Sequence, residues 1–409
     1  MGTSSLFGRV TKLQIIGNKL TNLVKMPYRP DQYKIENIIK SVKALLIFEN
    51  VFCIFRYIPK KVKNVKRLQI FGVIVCTISI LYFLLNVKIP DMGIDFNITA
   101  ALSPILFLLQ YYITLILLYF TWNNSLLQIL KRFAEIDKTL CILVAKDFYL
   151  KSRAGTMKLT FFFILFHILQ ITLYVYYESN LQTVEFILLF AYIERNLEIT
   201  LLCRFIYMLK KRLVILNYKL SSYLKRDNQS FKKSTLINVS QLNKRIEDRK
   251  IEIRKLAIAY IKVGEIMHML NNDFNFQLFM MLTSCFVVIV FSTWACFYCV
   301  WSGKCSISFY NIVIWTVTEI TVMGIVSFIC EDVLSVRKNT IEYLDQIVID
   351  FSLCANTRTQ AKVFRALINA WPLRIIVYEI YPIGFKLIID FIGLTTTSII
   401  IVLQISHIF

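Results

Sequence analysis

Histidine and the motifs that carry enzyme chemistry are almost missing from this sequence. Its three histidines, His167, His268 and His407, lie far from one another along the chain. We find no H-x-x-x-H or H-E-x-x-H pattern, no Walker loop, no G-x-S-x-G turn and no cluster of residues with metal-ligand spacing. Because catalysis needs several such groups together, the sequence predicts neither an enzyme nor a metal site or cofactor.

Negative charge is also scarce. The 409 residues contain 26 Asp and Glu against 47 Lys and Arg, which gives a formal net charge of +21. In a soluble protein such an excess would suggest a nucleic-acid partner. Here no basic module stands apart from the hydrophobic stretches, so we predict no nucleic-acid binding and interpret the charge as a sign of membrane topology.

Hydrophobic residues, in contrast, are abundant. They make up 57% of the chain, aromatic residues make up 14%, and the mean hydropathy is +0.60, a balance typical of integral membrane proteins. Seven stretches reach the roughly 20 residues that a helix needs to cross a bilayer. We therefore predict an all-α polytopic membrane protein with seven transmembrane helices at 68–87, 98–122, 159–177, 186–208, 274–301, 307–330 and 385–409.

Lys and Arg lie on one side of these predicted helices. The loop 123–158 has seven basic against three acidic residues, and the loop 209–272 has fifteen against five. The loops 88–97 and 302–306 hold one lysine each, and the loop 178–185 holds no Lys or Arg. The positive-inside rule then predicts a cytoplasmic N-terminus and, after seven crossings, an extracellular C-terminus.

This topology predicts four units and one glycosylation site. The sequon at Asn97 falls on the extracellular side. The units are a cytoplasmic N-terminal segment at 1–67, a ligand-binding bundle of six transmembrane helices at 68–330 that includes a cytoplasmic helical extension at 209–272, a cytoplasmic anchor segment at 331–384, and the last transmembrane helix at 385–409.

Two cytoplasmic segments have helical periodicity. Pro372 and Pro382 interrupt the run before the last span, so we expect the last helix to be split. Stripes of this kind suit a helical anchor, which packs either within its own subunit or where subunits meet. The first stripe is Val239, Leu242, Ile246, Arg249, Ile253, Leu256, Tyr260, Val263, Met267 and Leu270, in which only Arg249 is not hydrophobic, and the second is Leu334, Ile341, Leu344, Val348 and Phe351.

The last predicted helix carries polar residues that hydrocarbon does not favour. Thr397 and Ser398 are followed by five aliphatic residues and then by Gln404 and Ile405. Ile401, Gln404 and Ile405 share one helix face, and a buried amide is costly unless it meets water or a partner. We interpret Ser398, Ile401, Gln404 and Ile405 as pore and gate residues, with isoleucine rings that exclude water and Gln404 amides that replace part of a cation's hydration shell. The alternative, in which Gln404 bonds a neighbouring helix, stays open.

Aromatic and polar side chains in the outer halves of the second to sixth spans suggest a binding site for a small organic molecule. Glu194, Arg195, Glu198 and Arg204 also suggest interhelical ion pairs. The mostly apolar wall favours an amphipathic organic molecule over a free sugar, although mid-membrane charges also suit a secondary transporter of such a molecule. The predicted ligand-binding residues are Phe107, Gln110, Tyr111, His167, Gln170, Tyr174, Phe190, Glu194, Trp294, Phe297, Tyr298, Trp315 and Glu319.

The C-terminal pattern resembles a family motif. Insect gustatory and odorant receptors end in Thr-Tyr, five hydrophobic residues and Gln-Phe; here Thr397 and Gln404 are kept, while Ser398 and Ile405 replace Tyr and Phe. Together with the seven spans, the inverted topology, the long charged fourth loop and the split last helix, this pattern resembles an insect gustatory receptor over nearly the whole chain.

The resemblance implies a multi-pass homotetramer of the plasma membrane that acts as a ligand-gated, non-selective cation channel. The last helix of each subunit would surround one pore for monovalent cations, with divalent cations left open, and the cytoplasmic helices would form a shared anchor. The departures from the motif resemble bitter-type receptors of moths and butterflies. A sugar-gated receptor channel and a secondary transporter remain the alternatives.

Overall fold

The computed structural model describes residues 32–56, 65–86, 94–120, 125–142, 146–177, 183–224, 252–302 and 308–405. Within these residues the chain forms ten helices and one short hairpin. In chain order they are α1 (Gln32–Val51), α2 (Val65–Asn86), α3 (Ile94–Phe120), α4 (Ser125–Thr139), α5 (Lys146–Tyr177), α6 (Thr183–Ser221), α7 (Ile253–Ser302), α8 (Ser308–Ile349), α9 (Ala355–Ala370), β1 (Ile376–Val377), β2 (Tyr381–Pro382) and α10 (Phe385–Ile405).

The predicted all-α architecture is confirmed. The seven predicted spans lie in α2, α3, α5, α6, α7, α8 and α10, apart from residues 87, 121–122, 307 and 406–409, which lie outside the described part. Among the described residues, α5, α7 and α8 each contain a run long and hydrophobic enough to cross a membrane, and α2 and α3 contain shorter hydrophobic runs. The outer face of α5 exposes Phe161, Phe162 and Leu165, which is the surface that lipid contact requires.

Helix α6 forms the centre of the bundle. It packs against α1, α2, α3, α5, α7 and α8, and most of its side chains between Ala191 and Leu220 are buried. Its hydropathy is interrupted by Glu194, Arg195 and Glu198, which are 0% exposed. These charges therefore face protein and not lipid, which explains how so polar a helix can lie inside the membrane part.

Helix α7 is continuous over 50 residues and joins the segment predicted to be a cytoplasmic extension to the fifth predicted span. Its first stripe is confirmed from Ile253 onward, because Leu256, Tyr260 and Leu270 are fully buried against neighbouring helices that include α4 and α9. The part of this stripe at 239–251 lies outside the described residues.

The second predicted stripe is confirmed only in part: Leu344 is buried, and Ile341 and Val348 are partly buried and pack against the core. The buried side of α8 is Val333, Val336, Thr340, Leu344 and Ile347, whereas Phe351 is 81% exposed and follows the end of the helix. The polar Thr340 hid this pattern, because it is buried and its hydroxyl donates a 2.6 Å hydrogen bond to Asn217 Oδ1 of α6. A satisfied polar group inside a helix–helix contact looks like a surface position in the sequence.

The predicted break before the last helix is confirmed and contains a hairpin. Strand β1 pairs antiparallel with β2, and α10 begins at Phe385. The side-chain oxygens of Asn271 and Asn275 on α7 accept hydrogen bonds of 2.9 and 2.7 Å from the backbone N–H groups of Ile376 and Tyr378. The base of the last helix is thus fastened to α7.

Candidate functional site

A buried ion pair joins α6 and α8. Arg195 donates to Glu319, and both side chains are 0% exposed. Arg195 Nη1 also donates to Ser284 Oγ at 2.5 Å, and its guanidinium carbon lies 4.7 Å from the centre of the Phe107 ring. A buried charge needs such partners, so Arg195 links its own helix, α6, to α3, α7 and α8.

An aromatic cluster surrounds this ion pair. We use this name for Phe107 of α3, His167 and Tyr174 of α5, Tyr192 of α6 and Trp315 of α8. The Tyr192 and Trp315 rings lie 4.3 Å apart, Phe107 stacks on Trp315 at 6.3 Å, and the His167 ring lies 6.0 Å from Tyr192. The Tyr174 ring lies 6.4 Å from Trp315. Four helices therefore meet at one set of rings with a polar centre, which is an arrangement suited to an aromatic or amphipathic ligand.

Several buried polar atoms beside the cluster are left without a hydrogen bond. Both side-chain oxygens of Glu194 and both polar atoms of the Gln110 amide have no hydrogen-bond partner within the described part of the chain. Gln170 Nε2 and Asn196 Nδ2 make no hydrogen bond of ordinary length and angle, although both amides lie beside the Tyr192 hydroxyl. Buried groups in this condition are positions where water or a ligand atom completes the bonding.

A cavity of about 560 Å³ lies between α5, α6 and α8. One end is lined by His167, Asn196 and Thr318, so the cavity reaches the aromatic cluster and the amide of Asn196, whose Oδ1 accepts a 3.2 Å hydrogen bond from Arg195. The opposite end is lined by Arg204, which donates hydrogen bonds of 2.6 and 2.8 Å to the Ser152 carbonyl and hydroxyl.

The mouth of this cavity faces outward. Phe162, Phe166 and Ile325 line it and are 64%, 45% and 51% exposed. Because these residues belong to the surface that meets lipid, a hydrophobic molecule dissolved in the bilayer could enter sideways. The volume lies within the roughly 300–1,000 Å³ of ordinary small-molecule sites.

The structure brings part of the predicted ligand site together. Phe107, His167, Gln170, Tyr174, Trp315 and Glu319 meet at the aromatic cluster, with Gln110 and Glu194 buried on α3 and α6. Trp294 and Phe297 lie on α7, outside the contacts that define the cluster; the Tyr298 side chain lies outside the described residues. Asn97 lies in the first turn of α3, and its side chain is likewise outside the description.

Tyr111 and Phe190 form a second contact, with α1. The Phe190 ring lies 4.4 Å from Phe52 and 5.8 Å from Tyr111, and the Tyr111 hydroxyl donates a 2.9 Å hydrogen bond to the Phe52 carbonyl. These side chains therefore connect the end of α1 to α3 and α6. Sequence reasoning did not foresee this role of α1, because the residues before the first span contain no long hydrophobic run.

Three of the four charged residues of α6 that the sequence singles out bind other segments of the chain, whereas Glu194 has no hydrogen-bond partner within the described residues. Interhelical ion pairs are confirmed for Arg195, with Glu319, and for Glu198, with Arg56. Arg204 binds Ser152 instead of a carboxylate. Tyr192 was missed by sequence reasoning, although its position three residues before Arg195 places both side chains on one helix face.

The last helix, α10, has a buried side and an exposed side. Leu387, Phe391 and Thr395 are buried, and the helix packs against α7 and α8. Ser398 is partly buried, and its hydroxyl donates to the Leu394 carbonyl at 2.9 Å.

The exposed side of α10 carries what we call the polar stripe: Lys386, Asp390, Gly393, Thr397 and Gln404, all exposed and spaced by three, four or seven residues. Ile401, 49% exposed, lies between Thr397 and Gln404 on the same side. The Ile405 side chain lies outside the described residues. A stripe of charged, small and polar residues along a hydrophobic helix faces water more favourably than lipid.

Comparisons with known proteins agree with these observations. A profile of the 7tm Chemosensory receptor family matches residues 43–407. No curated protein matches the sequence. The solved structure of the insect olfactory receptor OR5 from Machilis hrabei is similar to this chain with a TM-score of 0.63 and 10% identity, over 91% of this chain and 99% of that one. The same receptor in complex with eugenol gives a TM-score of 0.50 and 11% identity, over 89% and 98%. At these identities the likeness shows the shared fold.

Proposed function

Because the chain belongs to the 7tm chemosensory receptor family, we propose that it is a gustatory receptor: a ligand-gated, non-selective cation channel opened by a small amphipathic plant metabolite. The family consists of receptors, which confirms the prediction that the chain is not an enzyme. The taste modality, the ligand class and the ions are our proposal.

The cavity between α5, α6 and α8 carries the ligand part of this proposal. It joins a hydrophobic, membrane-facing mouth to an inner end where His167 and Asn196 offer polar atoms beside aromatic rings. A molecule with a hydrocarbon body and one hydroxyl or carbonyl group fits both ends, whereas a free sugar would leave many hydroxyls against hydrocarbon. The OR5 receptor that shares this fold has been solved with eugenol, a small molecule of the amphipathic kind.

The polar stripe of α10 supports the channel part. In a single subunit Lys386, Asp390, Thr397 and Gln404 are exposed on a helix whose other residues are mostly hydrophobic. Four copies of α10 around a common axis would give each stripe water instead of lipid. Rings of Ile401 and Ile405 would then close the conduit by excluding water, and rings of Gln404 would hold cations weakly, with little preference for divalent ions.

A secondary transporter is less well supported. Arg195, Glu198 and Glu319, three of the mid-membrane charges that favoured it, are held in ion pairs within the described protein. Only Glu194 of this group is left for a moving substrate. A channel would carry ligand-evoked current in the absence of any ligand gradient, whereas a carrier would not.

The experiment that tests the pore is cysteine substitution along α10 with water-borne methanethiosulfonate reagents. We expect Thr397→Cys and Gln404→Cys to be modified during ligand application, with a change in current. Thr396→Cys is the matched control, because Thr396 is equally exposed but lies about 100° around the helix. Equal modification of Thr396→Cys and Thr397→Cys, or inertness of both stripe variants, would remove α10 from the pore.

A further inference from the structure

Helices α1 and α5 lie side by side and run in the same direction. Thr156 donates a hydrogen bond from its hydroxyl to the Ser41 carbonyl. Seven residues further along each helix (41 to 48 and 156 to 163), the Phe48 and Phe163 rings meet at 6.0 Å. Equal steps along both helices mean that α1 and α5 are parallel over this length.

A groove of about 310 Å³ lies along this contact. Its floor is formed by Ser41 and Thr156, which are both 1% exposed. Lys40 and Lys43 from α1 and Arg153 from α5 stand on its walls, and all three are exposed. In this parallel register Arg153 lies level with residue 38 of α1, so the three cations follow one another over about 7.5 Å of the part of the groove nearer the starts of both helices.

The cations at this end are not neutralised by the protein. Within the described part of the chain, Lys40, Lys43 and Arg153 form no ion pair. Of the acidic residues on the same helices, Glu36 and Asp147 lie closer to the starts of α1 and α5 and form no ion pair with these cations, and Glu49 near the end of α1 pairs with Arg56. Three uncompensated cations around one groove favour an anionic occupant.

The other end of the groove is hydrophobic. Ile47 lines this end and is 53% exposed, while Met157, 55% exposed, lies on the opposite wall at about the level of Lys43. Beyond Met157 the surface of α5 continues with Phe161 and Leu165, 63% and 50% exposed, into the part that faces lipid. The groove thus changes from cationic to hydrophobic along the direction in which both helices enter the membrane.

We propose that this groove binds one anionic phospholipid, with its phosphate between Lys40, Lys43 and Arg153 and an acyl chain along Ile47 and Met157. Guanidinium binds phosphate oxygens in a fork geometry, and lysine ammonium groups add mobile positive charge. The cationic end lies on the side predicted to be cytoplasmic, which is also the leaflet that carries anionic lipids. Basic pockets between helices on this side are recognised lipid headgroup sites.

The site has a structural consequence for α1. A lipid that touches both walls of the groove holds α1 against α5, and α1 in turn carries Phe52 and Glu49 towards α3 and α6. A ligand that binds only the folded state raises its stability. Anionic lipid is therefore expected to raise the melting temperature of the receptor.

The test measures equilibrium binding of a fluorescent short-chain phosphatidylserine to the detergent-solubilised full chain. We compare the wild type with the triple variant Lys40→Gln, Lys43→Gln, Arg153→Gln. With each cation contributing about 1 kcal/mol, the variant should bind roughly 100-fold more weakly. A charge-preserving variant, Lys40→Arg with Lys43→Arg and Arg153→Lys, should keep most of the affinity and shows that the positions tolerate substitution.

The matched control is Lys255→Gln, Lys338→Gln, Lys362→Gln, which removes three exposed cations elsewhere on the described surface. It should bind like the wild type. Equal losses in both triple variants would reduce the effect to overall charge and overturn the site. Effective competition by short-chain phosphatidylcholine would remove the requirement for an anion, and equally strong binding of the free glycerophosphoserine headgroup would show a soluble-anion site without a place for the acyl chain.

Discussion

Two regions of this molecule bury polar groups in opposite ways. Around α4, on the side that the sequence predicts to be cytoplasmic, Asp137 accepts hydrogen bonds of 2.7 and 2.6 Å from Arg212 of α6 and one of 2.7 Å from the Tyr149 hydroxyl. The Arg212 guanidinium carbon also lies 4.5 Å from the Phe133 ring. In the membrane bundle, Gln110 and Glu194 are as deeply buried but have no hydrogen-bond partner among the described residues.

The difference separates structural residues from candidate binding residues. A buried charge whose lone pairs are all satisfied stabilises one arrangement of helices. Its removal leaves the partner charge buried without a counter-charge. A buried amide without a partner costs about 1–3 kcal/mol, and a protein that keeps several of them in one place gains from what they bind. We therefore expect substitutions of the paired residues around α4 to change stability and substitutions beside the cavity to change ligand sensitivity.

The largest expected effect comes from the paired region. Asp137→Ala leaves the buried Arg212 without its carboxylate partner and should lower the free energy of unfolding by about 3–5 kcal/mol. The measurement is the melting temperature and the monodisperse fraction of detergent-solubilised receptor. Asp345→Ala is the control, because its 2.7 Å pair with Arg365 is partly exposed and is worth about 0–1 kcal/mol. Similar losses in both variants would show that burial does not distinguish these pairs.

A second test addresses the packing that fastens α9 and the hairpin to α7. A Cβ atom at Gly264 would lie 2.7 Å from Trp371 Cε3, whereas a Cβ atom at Gly324 would meet nothing within 4 Å. Gly264→Ala should therefore destabilise the protein by about 1–3 kcal/mol. Gly324→Ala should be neutral or stabilising by up to about 1 kcal/mol, since alanine favours helix. A stable Gly264→Ala variant would mean that Trp371 can move away at little cost.

The third test compares two asparagines on α6. Asn196→Leu removes an amide that lines the cavity together with the 3.2 Å hydrogen bond that its Oδ1 accepts from Arg195, so melting temperature should fall less than in Asn217→Leu while half-maximal ligand concentration rises about tenfold. Asn217→Leu removes the 2.9 Å bond to the Val336 carbonyl and the 2.6 Å bond from Thr340, and should lower stability by about 1–3 kcal/mol. The comparison fails if both variants lose stability and neither changes ligand sensitivity.

The smallest expected effect is the pH dependence of the stability that Glu135 of α4 contributes. Burial alone would raise the pKa of this carboxyl, but the hydrogen bond from Lys262 at 2.8 Å and the nearby Arg132 bring its pKa below the ordinary value. Its stabilising effect is therefore complete above the ordinary glutamate pKa of about 4.3 and is lost as pH falls through the lowered folded-state value. The difference in melting temperature between wild type and Glu135→Gln should shrink in acid. A difference that stays constant with pH would show that Glu135 does not titrate as described.

Much of the fold and part of the candidate site could be predicted from the sequence, because the relevant patterns are local. Hydrophobic length identified the spans, Pro372 and Pro382 marked the break before α10, and three- and four-residue spacing found the buried side of α7 from Ile253 onward. Phe107, His167 and Trp315 were predicted from their residue types and depth, and the structure brings them together.

The remainder depends on contacts between distant segments. Nothing local to α1 shows that Arg56 pairs with Glu198, 142 residues further along the chain. Thr340 and Asn217 satisfy one another across α8 and α6, so each looks like a surface residue in isolation. The cavity itself is a gap between three helices, and hydrophobic periodicity records which residues face a neighbour but not where neighbours fail to touch.

The most direct test of the central claim is whole-cell current in cells that express this chain alone, recorded against small phenols and terpenoids on one side and sugars on the other. We expect at least one amphipathic compound to open a cation current, sugars to be silent, and Asn196→Leu to shift the concentration–response curve to higher ligand. A receptor that answers only to sugars, or an Asn196→Leu curve that superimposes on the wild type, would contradict the assignment of the cavity and its Asn196 amide as the ligand site.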